Sequence, residues 1–313
     1  MNKMSVVTLN VEIEALKKDI LHVITCILGF QDKDIEAVEV FKETHPDEER
    51  LYDVFKVTTH DQDFVVKKSN HNEIEIYEKY LLKSGFSVPD YYGHMVYKDQ
   101  IWMVQAFVSG TDLKHFDKKH SQLCAGHLAE ISNSYWKDAS EFVEKGSRMD
   151  QYLVRLEKRR KALVDHPVLL KAYDVFLKTQ VELPVTLIHA DLLPTNVLCE
   201  GDDLTFIDWG FSGFLPYSLD PARLVAHGSA DDPVYKIEDD TRKTFLRTYY
   251  EGLKAINFPY EEFLWHIKLA TLNEYIEFIE RNLQSNNFDP ACSFSTRYYQ
   301  QAMTLAHEIN GHD

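Results

Sequence analysis

The sequence predicts an α+β fold in two parts, an antiparallel-sheet N-terminal lobe over residues 1–107 and a mainly helical C-terminal lobe over 108–313. Three observations predict it. Between residues 36 and 69, β-branched and aromatic runs recur at short spacing with turn-like breaks, the pattern of an antiparallel meander. From residue 113 onward, most segments carry apolar residues at helical spacing. One short β-prone island, TLIHADLLPTNVLCEGDDLTFIDWG (186–210), interrupts those helices. The length of 313 residues fits about two units at roughly 100–200 residues each.

Taken in order, residues 10–28 read as a helix. Asn10 is placed to cap it, Ile13, Leu16, Ile20, Ile24 and Leu28 form one face, and Gly29 can stop it. Strands follow in the 36–43 region, at 51–59 and at 63–69. A helix over 73–84 ends at Gly85, ahead of Val88-Pro89. DYYGHMVY and IWMVQAFV form two more strands, joined through Lys98-Asp99-Gln100, and Ser109-Gly110-Thr111-Asp112 connects to the second part. There, LCAGHLAEISNSYW, MDQYLVRLEKRRKALV and VLLKAYDVFLKTQ read as helices, with LEKRRKAL as a solvated charged face. TRKTFLRTYYEGLKA and EEFLWHIKLATLNEYIEFIERNL follow, and a last helix starts near Pro290.

Composition removes several classes of function. With 44% hydrophobic and 27% charged residues the chain is ordinary and globular. A net charge of −16 repels a phosphate backbone, so nucleic acid is not the expected partner. Cys26, Cys124, Cys199 and Cys292 are scattered, which suits reduced thiols in a cytoplasm better than disulfides or a zinc knuckle. No secretory leader or membrane span is expected, since the apolar stretch from Ile20 to Phe30 is short and contains His22 and Thr25. The phosphate loop GxxxxGK[ST] and the GxGxxG turn are both absent. The oligomeric state stays open.

The chemistry is concentrated in His189-Ala-Asp191-Leu-Leu-Pro-Thr-Asn196 and in the strand Leu204-Thr-Phe-Ile207 that delivers Asp208-Trp-Gly210. Phosphoryl transfer to a hydroxyl needs one carboxylate to receive the attacking proton. It needs a second to hold Mg²⁺ on the nucleotide, and a neutral oxygen donor beside it. An Asp with an Asn five residues on, followed by a strand that ends in D-x-G, supplies that set.

HADLLPTN and IDWG resemble the catalytic loop and metal motif of the aminoglycoside phosphotransferase and choline kinase-like family, a branch of the protein-kinase-like fold. Ala190 in place of the Arg of H-R-D, and Leu219-Asp220-Pro-Ala-Arg223 in place of A-P-E, set the chain apart from protein kinases. The resemblance implies a bilobal fold and an ATP- or GTP-dependent transfer to a hydroxyl of a small molecule. An aminoglycoside-like antibiotic or an amino alcohol would serve, and a choline-type metabolite kinase is the near alternative. A protein kinase and an inactive nucleotide-binding scaffold are the others, and the joint presence of Lys67, Asp191, Asn196 and Asp208 disfavours the scaffold.

Further roles follow from the resemblance. Asp191 is the catalytic acid–base group, Asn196 and Asp208 are metal ligands, and Lys67 is the strand lysine on the phosphates. The partner of Lys67 is a helix glutamate. Glu73, Glu75 and Glu78 all qualify, and the spacing to Val88-Pro89 selects Glu75. Gln105, Ala106 and Phe107 form the hinge whose backbone reads the adenine edge, unless they are an ordinary edge strand. The turn Thr44–Arg50, expected to cover the phosphates, has no Gly and three consecutive acids. Asp220 supports the catalytic loop, caps the next helix, or does both, with the cap weighted more, and His189 is structural.

For the acceptor, Asn273, Glu274 and Glu277 share one helical stretch. They either bind an ammonium group or form a solvated acidic face. The dense aromatics Tyr249, Tyr250, Tyr260, Trp265, Tyr275 and Phe278 are expected to be core rather than a cation cage.

Overall fold

A computed structural model describes residues 3–8, 13–44, 49–82, 85–138, 148–229, 235–284 and 293–312. Among these the chain forms two compact units. The first comprises 1–114, 195–211 and 232–234, and the second 115–194, 212–231 and 235–313. A single cut at 107/108 places the hairpin near residue 200 in the second part. Its strands in fact pair with the segment that follows the N-terminal sheet, so it groups with the first unit.

The first unit is built on an antiparallel sheet. Strands β1 (Lys3–Thr8), β2 (Ile35–Thr44), β3 (Glu49–Thr59), β4 (Asp63–Ser69), β5 (Tyr91–Tyr97) and β6 (Gln100–Ala106) lie in the order β1-β2-β3-β4-β6-β5. β1 is an addition to the expected meander. Its short Val6-Val7 run carries no period of its own, and it is a strand because it pairs along β2. Lys98 and Asp99 both take positive φ, 51° and 59°, the backbone that a two-residue hairpin turn between β5 and β6 requires.

Helix α1 (Ile13–Leu28) lays Ile20, Val23 and Ile24 onto the sheet. There they form one apolar core with Val38, Val40, Phe55, Val57, Phe64, Val66, Trp102 and Val104. Residue 10, the expected cap of α1, lies outside the described residues, as do residues 45–48 of the turn between β2 and β3 and the expected start of the last helix at residue 290. α2 (His71–Ile76) starts two residues earlier than its apolar pattern suggests, because the Asn70 side chain accepts from the Glu73 N–H at 2.9 Å. It continues as a wider turn over Tyr77–Leu81.

The expected β-island divides. β9 (Val185–Ile188) pairs with β12 (Gly213–Pro216) within the second unit. The hairpin of β10 (Val197–Glu200) and β11 (Asp203–Phe206) joins β7 (Thr111–Asp112) within the first. Gly110 allows that junction, since a Cβ there meets the Cys199 carbonyl oxygen at 2.6 Å and its φ is +128°.

In the second unit a short parallel bridge joins β8 (His115–Phe116) to β13 (Lys236–Ile237). Its helices are α3 (Lys118–Tyr135), α4 (Arg148–Ala162), α5 (Pro167–Gln180), α6 (Leu219–Ala226), α7 (Asp239–Gly252), α8 (Tyr260–Gln284) and α9 (Ser293–Asn310). Of the aromatics expected in the core, Tyr249 and Tyr275 are buried, while Tyr250, Tyr260, Trp265 and Phe278 are only partly buried. Tyr249 and Phe263 have no exposed surface, and Tyr217, Tyr250 and Tyr260 pack around Phe263. Trp265 stacks on His312. None of the described helices is long and apolar enough to cross a membrane.

His266, on α8, is buried with its Nδ1 2.8 Å from the Tyr217 hydroxyl. Burial pushes its imidazolium down to about 4. The unfolded chain therefore binds a proton near pH 6.5 that the folded chain refuses until about 4, and stability rises with pH across that window. The expected result is a urea midpoint that falls as pH drops from 7 toward 4.5. The fall should be shallower in a His266→Asn variant, and equal slopes for the two proteins would remove His266 from the cause.

Candidate active site

In the first unit β4 carries Lys67 inward and Lys68 outward, as strand alternation dictates. Lys67 is 6% exposed, and its Nζ donates to Glu73 Oε1 at 2.5 Å and to Asp208 Oδ1 at 3.2 Å. Burial opposes its charge, but Glu73 and Asp208 outweigh it and raise the ammonium above its ordinary value. Glu73 is held in turn by the Ser69 hydroxyl at 2.7 Å.

The expected partner, Glu75, is therefore corrected to Glu73. Glu75 points to the surface and pairs with Lys79 at 2.7 Å, one turn along the helix. Asn70 sets this register. With Asn70 at the cap, Glu73 occupies the third helical position and turns back toward β4, while Glu75 lies two residues around the helix. The pattern N-x-x-E at residues 70–73 was the available signal.

Asp208 follows β11 with φ +65°, a left-handed conformation that a non-glycine residue adopts at a cost. The next residues are pinned, since the Asn70 and Asn72 side-chain amides both donate to the Gly210 carbonyl at 3.3 Å. Asn196 directly precedes β10, and its carbonyl accepts from the Ile207 N–H at 3.0 Å. The hairpin thus ties the backbones beside Asn196 and Asp208 to each other. Both side chains are oxygen donors, and the Asp208 carboxylate is 53% exposed. A divalent cation that prefers hard oxygens and few protein ligands fits such a pair.

The hinge is partly committed to the sheet. β6 lies between β4 and β5, so Gln105 is in the ladder on both sides. The Ala106 N–H donates to the Asp90 carbonyl at 2.8 Å and the Phe107 N–H to the Asp63 carbonyl at 3.1 Å. The N–H groups of Ala106 and Phe107 are thus engaged within the first unit. The Phe107 ring lies 4.5 Å from Lys56 Nζ, and Gln105 is buried.

In the second unit, β9 leads into His189-Ala190-Asp191. Ala190 has φ +61°, and the strained turn is held by Asp220, whose carboxylate accepts from the His189 N–H at 2.6 Å and the Ala190 N–H at 2.9 Å. Asp220 is 1% exposed, and burial raises its carboxyl above the usual range against the pull of those N–H groups. Ser218 occupies the cap position of α6, so the preferred reading of Asp220 as the cap is corrected to loop support. His189 is buried, and its Nδ1 accepts from the Asp191 N–H at 3.3 Å.

Two arginines to which the sequence pattern assigns no site role complete this region. Arg223, one turn after Asp220 on α6, donates from Nε and Nη2 to Asp191 Oδ1 at 3.1 and 2.6 Å. Its Nη1 donates to Glu274 Oε2 at 2.5 Å. Burial opposes the Arg223 charge, and Glu274, Glu277 and Asp191 overcome it and raise the guanidinium further. Burial alone lifts the Glu274 carboxyl, but Arg223, followed by His227, holds it down at about 2.

Arg159, on α4, pairs with Glu277 at 2.5 Å and Glu280 at 3.1 Å and donates to Asn273 Oδ1 at 3.1 Å. It was expected on a solvated face, yet Tyr152, Leu156 and Arg159 recur at helical spacing, and all three are buried. Asn273 and Glu274 are 2% and 4% exposed, so neither the solvated acidic face nor an open ammonium site describes them. Glu277 keeps 35% exposure. These groups line a pocket that also admits Arg155, Leu215 and Leu219.

The sequence profile of the phosphotransferase enzyme family matches residues 46–259. The chain belongs to this family. Its fold is shared with solved kinases of low sequence identity. An amicoumacin kinase in complex with AMP-PNP, Ca²⁺ and Ami gives a TM-score of 0.60 at 15% identity, covering 96% of this chain and 93% of that one. Choline kinase from Cryptosporidium parvum Iowa II gives 0.59 at 14% identity, with 95% and 96% covered. Ethanolamine kinase from Plasmodium vivax gives 0.53 at 16% identity, with 81% and 78% covered. Comparison with curated protein sequences gives no match. At these identities the likeness carries the kinase-like fold, an antiparallel sheet followed by a helical C-terminal part, and the family makes the chain a phosphotransferase.

Proposed function

We propose that the chain transfers the γ-phosphoryl group of ATP to a hydroxyl of a small molecule in the cytoplasm. The observation that carries this reading is the buried Lys67–Glu73–Asp208 contact. A lysine ammonium fixed between two carboxylates, one of them half-exposed, suits nucleotide phosphates with their counter-ion. Asp191 orients the acceptor hydroxyl and takes its proton as that oxygen bonds to the γ-phosphorus. The bond to the β,γ-bridging oxygen breaks, and ADP leaves with the electron pair. Lys67 contacts the phosphates, Glu73 keeps Lys67 in place, and Asn196 and Asp208 hold Mg²⁺. When bound, the cation neutralises phosphate charge. Positioning and charge compensation supply most of the rate. GTP presents the same phosphates and is the alternative donor.

The acceptor is proposed to carry an ammonium group. With Asn273 and Glu274 engaged by the arginines, Glu277 is the one of the three with exposure left to meet it. Glu277→Gln should raise the acceptor KM by about fivefold or less, the size of a partly exposed ion pair, and leave the ATP KM unchanged. The shift should shrink with added salt. An acceptor KM indifferent to both the substitution and salt removes Glu277 from recognition.

The test of the whole reading is Mg²⁺-dependent ADP release from ATP and from GTP across aminoglycosides, amino alcohols and a protein acceptor, with the product located by phosphorus NMR. Phosphorylation of one small hydroxyl compound supports the proposal. Label on protein supports a protein kinase, and nucleotide binding without turnover supports a scaffold.

A further inference from the structure

The loop His189–Asn196 contains neither Lys nor Arg, so a cation near Asp191 has to come from elsewhere in the chain. Helix α6 supplies it. Asp220 and Arg223 are three residues apart on that helix and share a face. Asp220 grips the loop by its backbone, through the N–H groups of His189 and Ala190. Arg223 grips it by its side chain, with Nε and Nη2 both directed at the same oxygen of Asp191. Two N–H groups of one planar guanidinium on a single carboxylate oxygen pin that oxygen and resist rotation of the carboxylate.

Arg223 is itself fixed. Its remaining arm reaches Glu274 at 2.5 Å, with Glu277 Oε1 at 3.8 Å, and it is 12% exposed. Behind Glu274 stands His227, whose Nε2 is 3.9 Å away and whose Nδ1 is 2.8 Å from the Tyr298 hydroxyl of α9. The groups run in one buried line from α9 through α8 and α6 to the loop. An uncompensated carboxylate at Glu274 is costly in this setting, and Arg223 is the nearest cation to it among the described residues.

We propose that Arg223 is a positioning residue that holds the Asp191 carboxylate in its working orientation, and that Glu274 serves Arg223 rather than the acceptor. This rests on the reading of Asp191 given above. Arg223 touches neither phosphate nor acceptor in this assignment; it acts through Asp191. Losing the clamp should therefore lower kcat without moving either KM, and should cost nothing further once Asp191 is gone.

The experiment is a double-mutant cycle in the full chain, read by steady-state and single-turnover kinetics with ATP and the acceptor found by the screen. Arg223→Gln should cut kcat about 10- to 100-fold, the scale of a misplaced catalytic group, with both KM values unchanged within about twofold. Arg223→Lys keeps the charge but not the fork, and should recover only part of the loss. In an Asp191→Asn background, adding Arg223→Gln should change the residual rate by less than about twofold. Effects that multiply would overturn the proposal, because Arg223 would then act independently of Asp191. A raised acceptor KM with unchanged kcat would overturn it too, by placing Arg223 in recognition. If Arg223→Gln does not fold, Arg223→Gln/Glu274→Gln removes both buried charges together, and the same comparisons are made from that pair. Full turnover by Asp191→Asn alone sinks the reading of the reaction. A dead Asp191→Asn beside a normal Arg223→Gln sinks only the clamp.

Discussion

Asp191→Asn should lower turnover by about two to four orders of magnitude, the range for losing a positioned acid–base group, and leave nucleotide affinity nearly unchanged. The amide is close in size to the carboxylate, so the backbone bonds around it should persist. Asp220 still holds the His189 and Ala190 N–H groups, and His189 still accepts from the residue 191 N–H. The substitution removes a proton acceptor and leaves the Arg223 guanidinium facing a neutral group. Lys67, on which nucleotide binding is proposed to depend, is held by its own bonds to Glu73 and Asp208, which the substitution does not remove. The check is kcat with the true acceptor beside the ATP Kd by calorimetry. Turnover within about tenfold of the parent would show that Asp191 is not the group that takes the proton.

What the sequence made legible, and what it hid, divides along physical lines. The loop His189–Asn196 was readable because the proposed chemistry demands fixed residue types at fixed spacing, and the hairpin that presents Asp208 follows from the β-prone run before it. The sheet of the first unit was readable from its alternation. β1 was not, because a short terminal run becomes a strand only when a neighbour pairs with it. The choice between Glu73 and Glu75 turned on helix register, and one side-chain cap at Asn70 decided it. Arg223 and Arg159 were hidden for a different reason. Their roles lie in contacts 32 to 121 residues away in sequence, with Asp191, Glu274 and Glu280. Local spacing is blind to such pairs. Only the burial of Arg159 had a local trace, in its place on an apolar helix face. The acidic stretch of α8 read as open, to an ammonium group or to solvent, because the arginines that engage Asn273 and Glu274 sit on other helices.

Glu73 and Glu75 offer the sharpest contrast in the first unit, and their substitutions should differ widely. Glu75→Gln breaks an exposed contact with Lys79 and should leave both the urea midpoint and turnover within error of the parent. Glu73→Gln leaves Lys67 buried with a lost counter-charge. It should cost about 3–5 kcal/mol of stability, as expected when one partner of a buried pair is removed, and most of the turnover with it. Loss of activity alone would not separate misfolding from a misplaced lysine. The pair of substitutions Lys67→Met/Glu73→Leu makes that separation. Two apolar side chains of similar volume remove both buried charges, and such replacements often match or exceed the stability of the pair they replace. Asp208 then loses one contact, but at 53% exposure water compensates it. The expected outcome is a urea midpoint recovered toward the parent with turnover still lost and a weakened ATP Kd. Restored turnover in that double variant would mean that the Lys67–Glu73 pair serves folding alone, and that the phosphates are held by other groups.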